Sequence, residues 1–266
     1  MDSIKDAIQT CAGKEGLVWI TMINNGYVDY TKNFLKAMDV YGSAFTLLVY
    51  CLDSESLQSL SNQPHCIALD AKTFLKQTQP TALSIWGELN YKRIVFSKLD
   101  AIHFTMTLCS ELKIPFIGYI DTDIIPLKNP TPYILNEMKE HPSAVLVCQC
   151  DESTASCSNK DSCKNLCTGV IGFRVGSLPE KVFQYSEKEI RSFMSDQHFL
   201  QDQLLKNKYA FRTIDKSIFL NGSYPGLKSG KQITFPLTAS LVHFNYIVDK
   251  NYAKRETMKV QRMWFV

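Results

Sequence analysis

The sequence predicts an α/β fold with a central sheet flanked by helices, and three observations carry that prediction. Short β-rich runs alternate with amphipathic segments along the chain, the pattern of strands joined by crossover helices. An apolar run over Phe116–Ile120 ends abruptly in two carboxylates, as a buried strand does when it emerges at a sheet edge. With 266 residues, 45% of them hydrophobic, the chain can bury a full core as one large or two closely joined domains.

The elements follow in order. Leu17–Ile23 reads as the first strand, then the turn Asn24-Asn25-Gly26 and a helix over residues 30–38. Residues 45–52 read as a second strand, and 66–69 as a short third one leading into 70–75. Residues 86–112 look largely helical and present Lys98, after which Phe116–Ile120 forms the strand bearing the acid pair. In the less regular second half, 143–150 is a strand and 157–166 a polar loop. Residues 169–175 form another strand, whose glycines permit close backbone approach. Residues 180–206 read as one helix carrying Asp196, Gln197, Asp202 and Gln203. Phe219-Leu220-Asn221-Gly222 holds a strong turn signal, and residues 240–246 are a β-rich run with His243 inside it.

Composition excludes several classes of partner. A net charge of +3 from 29 basic and 26 acidic residues makes no strong field for nucleic acid or an anionic membrane. The basic stretch with Lys250, Lys254, Arg255, Lys259 and Arg262 is the local exception, by default a solvated helical face. No apolar stretch reaches the roughly 18 residues that span a bilayer. Residues 1–16, with Asp2, Lys5, Asp6, Lys14 and Glu15, lack the apolar core of a signal peptide, so a soluble, cytoplasmic chain is expected. On that basis Cys11, Cys51, Cys66 and Cys109 are expected as reduced, buried thiols. Cys148, Cys150, Cys157, Cys163 and Cys167 depart from the paired spacing of zinc sites and have no histidine among them, so they read as a cysteine-rich loop.

In extended backbone Asp121 and Asp123 project to one side and Thr122 to the other, which makes half a metal site. Hard carboxylate oxygens suit Mg²⁺ or Mn²⁺, ions that carry the phosphates of nucleotide substrates. A haloacid-dehalogenase-type phosphatase or phosphotransferase also carries Asp-x-Asp, but after its first strand and with Thr or Val two residues beyond the second acid. Here the motif lies mid-chain and Ile125 stands at that place. A non-catalytic nucleotide-sugar-binding relative is the third reading.

The order of segments resembles the nucleotide-diphospho-sugar transferases of the GT-A fold, a mixed central sheet flanked by helices, especially the DUF271 and GT77-like retaining enzymes. The resemblance rests on Lys98 upstream of Tyr119-Ile120-Asp121-Thr122-Asp123, on Cys167-Thr168-Gly169, on Asp196-Gln197, on Phe219-Leu220-Asn221-Gly222 and on His243-Phe244-Asn245 followed by Lys254 and Trp264. It implies a single domain over 1–266, with a nucleotide-binding half over 1–123 and an acceptor and sugar half over 124–266. It also implies a metal-dependent transferase moving a sugar from a UDP- or GDP-sugar to a hydroxyl of a glycan or glycoconjugate, with retention.

By the same resemblance Asp121 and Asp123 would anchor Mn²⁺ (or Mg²⁺) on the diphosphate, with Thr122 in that donor-binding stretch and His243 as third ligand. Thr21, Asn24, Asn25, Gly26 and Tyr27 would hold base and ribose. Lys98 would face the diphosphate-sugar, and Lys254 or Lys250 would bind phosphate; family members often carry glycine where this chain has Asp249. Asp196 and Gln197 would lie at the reacting sugar, with Asp202 and Gln203 as the competing pair. Cys167, Thr168 and Gly169 would line the sugar pocket, and Asn221, Gly222 and Asn245 would belong to the donor site.

Overall fold

The computed structural model describes residues 2–43, 45–75, 80–82, 84, 86–152, 165–247 and 251–266. Helix α1 (Asp2–Ala12) precedes β1 (Leu17–Ile23), α2 (Val28–Tyr41), β2 (Leu47–Cys51), α3 (Ser54–Leu60) and β3 (Cys66–Asp70). The long α4 (Leu89–Glu111) leads to β4 (Phe116–Ile120), β5 (Ile124–Pro126) and α5 (Thr131–Glu140). Strands β6 (Leu146–Cys150) and β7 (Leu166–Arg174) are followed by α6 (Glu187–Ser192) and α7 (Asp196–Lys206). The chain ends with β8 (Phe211–Ile214), β9 (Phe219–Leu220), β10 (Leu241–His243) and α8 (Asn251–Val260).

The main sheet has seven strands in the order β3-β2-β1-β4-β7-β6-β8. Its first four strands run parallel, β7 runs antiparallel to both β4 and β6, and β8 is parallel to β6. The mixed sheet expected from the sequence is present. Every residue of β1 is buried, because helices cover both faces, as parallel strands require. Alternation then divides its side chains. Val18, Ile20 and Met22 pack with α1, α4, α6 and α7, while Leu17, Trp19 and Ile23 pack with α2, α3 and α5. A smaller sheet, β5-β10-β9, packs through Ile125, Leu220, Val242 and Phe244 onto Met258 of α8.

Several expectations need correction. The first sixteen residues hold a helix that was not foreseen: Ile4, Ala7, Ile8 and Cys11 are buried at the spacing of one helical face, despite the charges between them. Residues 180–206 are not one helix but a 3₁₀ turn (Glu180–Val182), α6 and α7. A capping box between Ser186 and Glu189 starts α6, and extended backbone at Ser195 restarts the chain for α7. Strand ends at 45–52, 143–150 and 240–246 are shorter than the β-rich runs, whereas β7 begins three residues before the expected Gly169. The cysteine cluster is not uniformly reduced, since Cys150 is disulfide-bonded, whereas Cys148 and Cys167 are free and buried. Cys157, Cys163 and most of the 157–166 loop lie outside the described residues, as does Lys250. Cys11, Cys51 and Cys109 are free and buried, and Cys66 is free and half-buried. Among the described residues no helix is long and apolar enough to cross a membrane.

One contact fixes the β1–β4 register. Trp19 lies opposite Gly118, and a Cβ at Gly118 would stand 2.5 Å from the indole ring. The indole cannot swing away freely, because its Nε1 donates to Thr131 Oγ1 at 2.8 Å. Gly118→Ala is therefore expected to destabilise the fold by about 1–3 kcal/mol. Equilibrium urea unfolding checks this, and an unchanged midpoint would contradict the packing described.

Candidate active site

A cavity of about 450 Å³ opens where β1 and β4 end. This is the switch point of the sheet, since β1 leads outward to β2 while β4 continues on its other side, and ligands of open α/β sheets bind in that crevice. Asn24 and Tyr27 follow β1, Tyr91 and Lys98 come from α4, and Asp121, Thr122 and Asp123 follow β4. Cys167, Thr168 and Gly169 come from β7, Asp196 and Gln197 from the first turn of α7, His243 and Asn245 from the end of β10, and Lys254 from α8.

Thr122 and Asp123 form a turn between β4 and β5, so uninterrupted strand alternation is not what sets the two acids. Pairing brings in the histidine. Strand β5 runs antiparallel to β10 with Ile124 opposite His243, which sets the imidazole beside Asp123. Ligand atoms of Asp121, Asp123 and His243 all lie within 4.8 Å of one another. His243 Nε2 is 3.2 Å from Asp123 Oδ1 and 4.0 Å from Asp121 Oδ2. Asp123 Oδ1 is buried yet has no hydrogen-bond partner, while Oδ2 pairs with Lys254 Nζ at 2.5 Å. Burial opposes the Asp123 charge, but Lys254 and His243 outweigh it and hold the carboxyl far below the usual carboxylate range.

Two features keep these groups together. Gly169 is the first: its carbonyl accepts the Asp121 N–H at 2.7 Å, and a Cβ there would lie 2.3 Å from the His243 ring and 2.8 Å from Asp121 Oδ2. The second is Lys98, only 4% exposed, with its ammonium 3.1 Å from Asp121, 3.7 Å from Asp196 and 4.6 Å over the Tyr119 ring. Burial works against that charge, but the two acids raise the lysine well above its ordinary value. Burial pushes Asp196 up despite Lys98 and a hydrogen bond from Thr168. Asp202 pairs with Lys206 at 2.8 Å and does not line the cavity, so Asp196-Gln197 is the pair placed there.

Thr21, Asn25, Asn221 and Gly222 do not line the cavity. Thr21 is buried in β1, and the Asn25 N–H donates to Asp53 Oδ2 at 2.7 Å. Asn221 donates to the carbonyls of Cys150 and Glu152, and the Gly222 N–H donates to Asn245 Oδ1 at 2.6 Å. Gly222 has no room for a side chain, since a Cβ would fall 1.7 Å from the Asn245 carbonyl oxygen.

Sequence reasoning missed Asp151, just beyond β6. Its carboxylate accepts from Gln197 Nε2 at 2.7 Å and Asn245 Nδ2 at 3.1 Å, its carbonyl accepts from the Tyr246 hydroxyl, and burial raises its pKa. The acid stands one residue past Cys150, where the cysteine pattern drew attention away from it. Asn24 carries another signal: its Nδ2 donates to the carbonyls of Pro80 and Ala82 at 2.7 and 2.9 Å, leaving Oδ1 buried with no hydrogen-bond partner.

The site thus offers two carboxylates and an imidazole around an unsatisfied oxygen, a donor set that suits Mg²⁺ or Mn²⁺. Comparison with curated proteins returns no match in sequence. Solved structures do resemble the fold. Mouse xyloside xylosyltransferase 1 superposes with a TM-score of 0.55 at 12% identity, over 87% of this chain and 98% of that one. The galactosyltransferase LgtC, solved with donor and acceptor sugar analogues, gives 0.51 at 11% identity over 93% and 96%. GlyE of Streptococcus pneumoniae TIGR4 gives 0.55 at 14% identity over 93% and 62%. The nucleotide-diphospho-sugar transferase family model matches residues 45–263. With that match running through both acids, the histidine and α8, the chain belongs to the nucleotide-diphospho-sugar transferase family and is a glycosyltransferase of the GT-A fold.

Proposed function

We propose that this glycosyltransferase is metal-dependent, uses a UDP- or GDP-sugar donor and a glycan or glycoconjugate hydroxyl as acceptor, and retains configuration at the transferred sugar. The observation that carries the reading is the Asp121, Asp123 and His243 group with the orphaned Asp123 oxygen among it. Mn²⁺ or Mg²⁺ held by these three would supply Lewis-acid neutralisation of the leaving diphosphate.

The protein's own groups do the rest. Lys254, already beside Asp123, is the cation we assign to phosphate. Tyr27 offers a ring to the base and Asn24 Oδ1 an acceptor for an N–H on its edge, such as uracil or guanine presents. Lys98 holds Asp121 and Asp196 in place rather than meeting the donor alone. Asp196 and Gln197, with Cys167, Thr168 and Gly169, border the sugar, while Gly222 fixes Asn245 from behind and Asn221 holds the backbone on either side of Asp151.

Retention follows from the resemblance to retaining enzymes. Asp121 and Asp123 are engaged by Lys98 and Lys254, and in this reading the proton of the acceptor goes to the departing diphosphate on the same face. Division into a nucleotide half over 1–123 and an acceptor and sugar half over 124–266 is part of the same proposal.

Asp123→Asn keeps the shape of the side chain and removes its charge, so it is expected to lower metal-dependent donor turnover by at least about 100-fold, beyond the range typical of groups one shell out. Steady-state turnover with circular dichroism as a folding control checks this; near-wild-type turnover overturns the metal assignment. Gly169→Ala is expected to displace His243 and Asp121 and weaken Mn²⁺ affinity by about 10-fold or more, with a smaller effect on nucleotide binding measured without metal. Equal weakening of both would show that the glycine serves general packing.

A further inference from the structure

Gln149 lies in β6 with no exposed surface. The pairing of β6 with β7 slips between Cys148 and Gln149, from Cys148 opposite Ile171 to Gln149 opposite Cys167. Bulges of this kind re-aim side chains beside active sites, and here the amide reaches two elements at once. Its Nε2 donates to the backbone carbonyls of Phe219 at 3.3 Å and Leu220 at 3.0 Å. Its Oε1 stands 2.7 Å from His243 Nδ1.

The orientation of the amide does not depend on the histidine. Two carbonyl oxygens can only accept, so the group facing them is the NH₂. The atom facing Nδ1 is therefore the amide oxygen, which also only accepts, and Nδ1 must carry a proton. Cys167 Sγ lies 3.8 Å from Nδ1 but is a weak acceptor and already receives the Gly169 N–H at 3.4 Å. In the neutral ring the lone pair is then on Nε2, the nitrogen that faces Asp123 and Asp121.

We infer that Gln149 is a positioning residue: pinned to β9 by two carbonyls, it fixes the Nδ1–H tautomer and ring angle of His243 so that Nε2 is presented as a ligand to a divalent cation. The inference rests on the metal reading of Asp121, Asp123 and His243 made above. It adds a reason for the fold to bring β6, β9 and β10 together, since one amide ties the imidazole to a strand in which no ligand lies.

The direct test uses ¹⁵N-histidine protein in long-range ¹H–¹⁵N correlation spectra at pH 8, metal-free and with Mg²⁺. His243 of the wild type is expected to show a protonated Nδ1 and a bare or coordinated Nε2; a protonated Nε2 with bare Nδ1 overturns the inference without any variant. In Gln149→Met the single-tautomer signature is expected to be lost and Mn²⁺ affinity, read by electron paramagnetic resonance, to fall about 10–100-fold. A merely structural Gln149 would lower thermal stability while leaving the Mn²⁺ affinity of the folded variant within about 2-fold of wild type, which overturns the positioning role alone. Wild-type protein that binds no Mn²⁺ would overturn the metal reading and this inference with it.

Discussion

Crowding carboxylates at one buried place is unfavourable unless cations offset them, and that constraint organises this molecule. Two like charges about 5 Å apart in a protein-like dielectric repel by about 3 kcal/mol. The cavity gathers Asp121, Asp123, Asp151 and Asp196 against Lys98 and Lys254. Lys98 sits on α4, Asp121 follows β4 and Asp196 opens α7, so one buried ammonium ties three elements to one point. Lys254 does the same for α8 and the β4–β5 turn. Neither lysine reaches Asp123 Oδ1, a buried oxygen left without a hydrogen-bond partner beside Asp121 and His243.

Backbone geometry makes that arrangement possible. His243 and Asp121 can approach only because Gly169 has no side chain, and Gly169 lies in the stretch where β7 slips out of register with β6. The same slip aims Gln149 at the histidine. A local irregularity in the sheet thus serves both the close approach of Asp121 and His243 and the orientation of the histidine.

How much of this was legible in the sequence depends on the range of the signal. Strands β1 and β4, with their unbroken apolar runs, were read at their observed ends. Asp121, Asp123 and His243 were grouped before any geometry was known, the acids by alternation and the histidine by the resemblance; the structure instead puts Thr122 and Asp123 in a turn, and the β5–β10 pairing brings His243 beside Asp123. Helix α1 was overlooked because charges interrupt a face whose apolar spacing is nonetheless helical. The start of α6, and so the end of any single helix over 180–206, was announced by Ser186 and Glu189, a short-range cap outweighed by the long helix-forming run around it. Asp151 and Gln149 gave no local sign at all. Their roles arise from contacts across 46 and 94 residues, to Gln197 and His243, and single-sequence patterns carry nothing at that range.

The claim at the centre of this account is that the cavity binds a nucleotide-diphosphate sugar through a divalent cation. Thermal unfolding of the wild-type protein with UDP- and GDP-sugars, each with and without Mn²⁺, tests it most directly, because a ligand that binds only the native state must raise its apparent stability. The account predicts that one donor class raises the midpoint clearly when Mn²⁺ is present and little when it is absent. The same rise with and without the metal, or none with either class of donor, would contradict it.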